Sequence, residues 1–123
     1  MRDICGRAFD FALRVVKLCQ FLDQTPGVAK TLSKQLLRAG TAVGANLEEG
    51  QAAQSEADFL TKISIACKEA RETHYWLRLL KAGGIVETNR TKDLEQEANE
   101  LVAILSTICK KVKNKKRNQE RRN

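Results

Sequence analysis

Residues 32–80 read LSKQLLRAGTAVGANLEEGQAAQSEADFLTKISIACKEARETHYWLRLL, and the reading of this stretch decides the fold. Apolar residues recur at threes and fours, first through Leu32, Leu36, Ala39 and Val43. After an interruption the pattern resumes as Phe59, Ile63, Ala66, Ala70, Thr73, Leu77 and Leu80. Such spacing puts one stripe of each segment on a single helix face. Between them, Ser55-Glu56-Ala57-Asp58 has the form of a capping box, a side-chain acceptor with an acid three residues on. Gly83-Gly84 supplies a helix stop, because glycine tolerates the left-handed backbone that ends a helix.

The first of these helices is expected over about Val28 to Gly50. Ala39, Gly40, Ala42, Gly44 and Ala45 strip its middle of bulk. A helical glycine costs roughly 1 kcal/mol against alanine. Two of them together imply another helix passing close by, since small residues let backbones approach.

Working outward, Ile4, Ala8, Phe11, Val15, Leu18 and Leu22 mark a preceding helix, and Phe9, Ala12, Val16 and Cys19 widen its stripe. A face that broad can touch neighbours on two sides, a hint of oligomerisation. Thr25-Pro26-Gly27 ends it, as proline cannot continue a helix interior. Beyond Thr88-Asn89-Arg90-Thr91, a fourth helix carries Leu94, Ala98, Leu101, Leu105, Ile108 and Val112. Long helices with short connections favour antiparallel neighbours, so the expected fold is an all-α, up-down four-helix bundle. One proline and few aromatic residues argue against a β-rich alternative.

At 123 residues the chain is long enough for one hydrophobic core and no more. Its net charge of +7 is concentrated at one end. Lys110, Lys111, Lys113, Lys115, Lys116, Arg117, Arg121 and Arg122 stand against Glu120 alone, which leaves the first 109 residues neutral. Residues 1–109 are therefore read as the bundle and 110–123 as a basic tail, expected to fray or stay disordered. A cationic block of this kind suits a polyanion such as RNA or DNA; a solvated tail that aids solubility is the plainer alternative. Cys5, Cys19, Cys67 and Cys109 lie far apart among apolar neighbours, the pattern of buried free thiols rather than disulfides or metal ligands. No secretory h-region opens the chain and no apolar run reaches spanning length, so the expected location is the cytoplasm, off the membrane.

Catalytic signatures are missing. His74 is the single histidine, and position 71, where a Glu-x-x-His metal motif needs an acid, holds Arg71. Phosphate-loop, dinucleotide and nucleophile-elbow motifs are absent, so neither enzyme activity nor a cofactor is expected. The polar residues that stand out lie on helix stripes. Asn46 falls where the seam of Ala39 and Val43 calls for a hydrophobe, and it needs hydrogen-bond partners there. Arg38 and Glu49 occupy the next stripe about three turns apart, too far to pair with each other. Each is expected to reach a charge on another helix, with Glu72 and Arg71 as candidates. A structural ion-pair network and a functional groove both remain open readings.

Several of these residues carry a resemblance. Gln35, Leu36, Arg38 and Ala39, then Asn46, Glu49 and Gly50, then Ser55, Asp58 and Phe59, then Ile65 and Ala66 follow a family pattern. It is that of the bacterial four-helix-bundle proteins encoded in intervening sequences of large-subunit ribosomal RNA genes. Lys68 to Leu80, KEARETHYWLRLL, is similar to one large branch of that family. The resemblance implies a bundle that assembles as a ring-shaped homo-oligomer, usually a pentamer. It also brings in a related group, the accessory variability determinants of diversity-generating retroelements, basic rings that bind a reverse transcriptase and nucleic acid. The expected function is thus a nucleic-acid-associated adaptor, with a reverse transcriptase as a candidate partner. The alternative is a ring that binds another protein through a helical face, without nucleic acid.

Overall fold

The computed structural model describes residues 3–122, which form four helices: α1 (Ile4–Leu22), α2 (Val28–Gln51), α3 (Glu56–Ala82) and α4 (Thr88–Arg122). Each terminus has a local cause. The Asp3 carboxylate accepts from the Cys5 N–H at 3.1 Å and caps α1. Ser55 Oγ accepts from the Asp58 N–H at 3.1 Å at the start of α3. At the end of α3, Gly84 takes φ +71°, a conformation that favours glycine, and the Ile85 N–H returns to the Leu80 carbonyl.

Neighbouring helices run antiparallel. Val15 on α1 lies against Gly40 on α2, whereas the earlier Ala8 meets the later Gly44. Glu49 and Arg38 of α2 meet Lys62 and Glu72 of α3, in inverted order. The α3–α4 pair repeats this, with Ser64 near Cys109 and Lys81 near Glu95. α1 and α4 close the bundle through a much thinner seam than the other three. Ion pairs of Arg7 with Glu97 and Glu100, and Arg90 stacked 3.8 Å over the Phe21 ring, bridge that seam.

The expected stripes supply the core: Phe11, Val15, Leu36, Val43, Leu77, Leu101 and Leu105 are all but sealed from solvent. Ser33 is buried with them and exchanges two bonds with Cys19. Its Oγ donates to the Cys19 carbonyl at 3.3 Å, and the Cys19 thiol donates to the Ser33 carbonyl at 3.4 Å. All four cysteines are free thiols; three are buried, while Cys5 is half-buried.

One expectation gives way. Residues 110–122 are not irregular but continue α4 to Arg122. The segment has neither glycine nor proline, and Lys, Arg, Gln and Glu are good helix formers. A packed helix also supplies the nucleus that an isolated peptide would have to form for itself. Arg121 and Arg122 sit in the last turn, where cations favour the helix dipole. Asn123 lies outside the described residues. No helix among the described residues is long and apolar enough to cross a membrane.

Candidate nucleic-acid interface

α4 spans 35 residues, roughly 50 Å at 1.5 Å per residue. Its final third displays Lys110, Lys111, Lys113, Lys115, Lys116, Arg117, Arg121 and Arg122, all exposed. Only Lys115 of these forms an ion pair among the described residues, at 3.1 Å from Glu56 in the first turn of α3. The later residues therefore extend past the start of α3. Val112 is the one half-buried side chain in the segment. What results is a continuous helix with cations on every side, where the sequence suggested an irregular tail.

The polar residues of the family pattern lie elsewhere, along α2 and α3. Arg38 pairs with Glu69 at 3.1 Å and also with Glu72. Glu49 pairs with Lys62 at 3.3 Å, not with Arg71. The antiparallel register explains the difference: it puts Lys62 opposite Glu49, while Arg71 points along the other side of α3 and donates to Ser106 Oγ at 3.3 Å. Asn46 is half-buried and its Nδ2 donates to the Ala42 carbonyl of its own helix at 2.8 Å. Asn46 and the charged pairs thus form no single convergent cluster. They make a ladder on the outer α2–α3 face, where each exposed pair contributes about 0.2–1 kcal/mol.

His74 is half-buried, and its pKa is pushed down by burial and by Arg78 and Lys81, against the opposing pull of Glu95. Glu95 accepts from Lys81 Nζ and Thr91 Oγ1, both at 2.9 Å. Burial pushes its carboxyl up, but these two bonds together with the charges of Lys81 and His74 hold the pKa below its ordinary value. The described residues contain no group of three or more histidine, cysteine or acidic side chains placed to hold a metal. Trp76 packs against the core with its indole N–H buried and without an acceptor among the described residues.

With this geometry in view, known proteins give a consistent comparison. The family model for 23S rRNA-intervening sequence proteins matches residues 2–107. The chain belongs to that family. A crystal structure of an S23 ribosomal protein family member of unknown function from Bacteroides thetaiotaomicron superposes with a TM-score of 0.81. It is 39% identical and covers 88% of this chain and 99% of its own. No curated protein matches. The matched region of this 23S rRNA-intervening sequence family member takes in nearly all of the bundle but stops at residue 107. The cationic end of α4 thus lies beyond what the family model describes.

The expected contact of Arg38 with Glu72 is present, whereas the cations of 110–122 stand on a helix and not on an irregular tail. Sequence reasoning did not connect Lys68 and Arg71 of α3 with Lys110 and Lys113 of α4, which line one groove. The signal was present: each pair is spaced i, i+3, so both its members share a helix face.

Proposed function

We propose that this family member is a non-enzymatic adaptor that binds RNA or DNA through the cationic end of α4 and works as the accessory subunit of a retroelement reverse transcriptase. One observation carries the reading: eight cations on the last third of one helix, seven of them without an ion-pair partner among the described residues. Lysine and arginine contact phosphates without reading bases, so binding is expected with little sequence preference. The reverse transcriptase part rests on the resemblance to the retroelement accessory proteins.

The adaptor is further proposed to act as a ring of copies. Phe9 and Leu13 are exposed on α1, 56% and 47%, beside a groove of about 310 Å³ lined by Val16, Gly44 and Ala45. Tyr75 and Leu79, one helical turn apart, form a second exposed apolar patch on α3. Two different patches are what a head-to-tail ring requires, each copy presenting one to the next. The same surfaces support the second reading, a ring that docks a protein partner without nucleic acid.

Fluorescence anisotropy tests the nucleic-acid reading. The full chain and a Lys111→Gln/Lys115→Gln/Lys116→Gln/Arg117→Gln variant are titrated with structured RNA and random duplex DNA across roughly 50–200 mM salt. Salt-sensitive binding that weakens in the variant supports the proposal. Failure to bind at the lowest salt removes it and leaves the protein-docking ring.

A further inference from the structure

Between α3 and α4 lies an open groove of about 320 Å³. Lys68 and Arg71 stand on its α3 bank, and Lys110 and Lys113 on its α4 bank. All four are exposed, and the described residues offer none of them a carboxylate within ion-pair distance. Arg71 donates to Ser106 Oγ at 3.3 Å, so its guanidinium is held over the groove by a neutral hydroxyl that leaves its charge uncompensated. The half-buried Ser64 and Ser106 contribute hydroxyls lower down, each beside a buried thiol: Ser64 at 3.7 Å from Cys109, Ser106 at 3.3 Å from Cys67. Among the described residues, no acidic side chain lines the groove.

We infer that this groove is a preformed seat for the backbone phosphates of a nucleic acid. Two cations on each bank, one helical turn apart, surround a phosphate with charge, and the hydroxyls add donors that a bare lysine cluster lacks. Because both banks belong to helices that pack on each other here, the backbone that presents these cations is already ordered before binding. The groove also lies where α4 passes from the bundle into its projecting end, and Arg117, one turn beyond Lys113, continues the same helix face. This rests on the nucleic-acid reading above and gives it a location on the folded body.

The test compares two double variants that each remove two positive charges. Lys68→Gln/Arg71→Gln empties the α3 bank and leaves the end of α4 intact. Lys30→Gln/Lys34→Gln removes equal charge from exposed α2 positions outside the groove. Circular dichroism confirms that both fold. In anisotropy titrations with duplex DNA and structured RNA, the groove variant is expected to bind several-fold more weakly. Its plot of log affinity against log salt should be shallower by about 2, one for each lost phosphate contact. The α2 variant should match the unaltered protein. Equal losses in both variants, or none in the groove variant, overturn the groove while the nucleic-acid reading stands. Absence of salt-dependent binding by the unaltered protein overturns both.

Discussion

At Gly40 the α2 backbone passes so close to Val15 that an added Cβ would lie 2.8 Å from Val15 Cγ1 and 2.9 Å from Cγ2. Val15 is wholly buried and β-branched, so it cannot swing aside cheaply. Gly44, one turn on, has only ordinary contacts of 3.5 Å to Ala8. The two glycines therefore separate. Gly40→Ala should destabilise the fold by about 1–2 kcal/mol, overpacking exceeding the gain in helix propensity. Gly44→Ala should be neutral or stabilising by up to about 1 kcal/mol. Urea denaturation of both variants checks this, and equal effects would contradict the geometry.

Arg7 and Glu97 bridge the thin α1–α4 seam with a forked contact. Arg7 Nε donates to Glu97 Oε2 at 3.1 Å and Nη2 donates to Oε1. Both side chains are only about a fifth exposed, 21% and 18%. Such a fork couples more strongly than a typical surface pair. A double-mutant cycle of Arg7→Gln and Glu97→Gln should give a coupling of about 1 kcal/mol, discounted for the remaining exposure. A coupling near zero would mean that apolar packing alone closes the bundle.

Acid should weaken the fold in two windows. The pKa of His74 is lowered in the folded state, so its contribution is fully present above its ordinary value of 6.5 and is lost as pH falls below that. The pKa of Glu95 is lowered too, and its contribution is present above 4.5 and lost as pH drops through the folded value beneath it. In both cases the unfolded chain binds protons first, which pulls the equilibrium toward unfolding. Thermal melts from pH 7 to 3 should show Tm falling throughout, and Glu95→Gln should flatten the part below about pH 4.5. An unchanged acid limb in Glu95→Gln would count against the Lys81–Glu95–Thr91 arrangement as its source.

The architecture was legible because periodicity, the Ser55 cap and the Gly83-Gly84 stop all pointed the same way. Three things were not. The helicity of residues 110–122 was hidden because a charged, apolar-poor segment looks disordered until the packed helix that nucleates it is considered. The environment of Asn46 was hidden because its stripe position suggests a core network, whereas its amide bonds back to Ala42 and the core contact passes to the fully buried Leu47. A periodic pattern gives the face of a helix to within one residue, and at Asn46 that residue decides whether a side chain is sealed. The α3–α4 groove needed the relative register of two helices, which neither helix carries alone.

The exposed apolar strip of α1 gives the last prediction. Phe9 and Leu13 lie one turn apart on the half of the broad α1 stripe that the bundle leaves open, while Phe11 and Val15 face the core. Charge placed on the open half should leave the fold intact and disrupt only contacts between copies. Leu13→Arg is the cleaner choice, since its side chain is nearly half exposed and the long arginine stem can lie along the surface. Multi-angle light scattering should find the unaltered chain as a multiple of 13.8 kDa and the variant as a single copy, with the same helical signal in circular dichroism. Burying an unpaired charge in an interface is costly enough to dissociate a modest assembly. If the variant keeps the larger mass, the copies meet through another face, and the Tyr75–Leu79 patch is the next to alter.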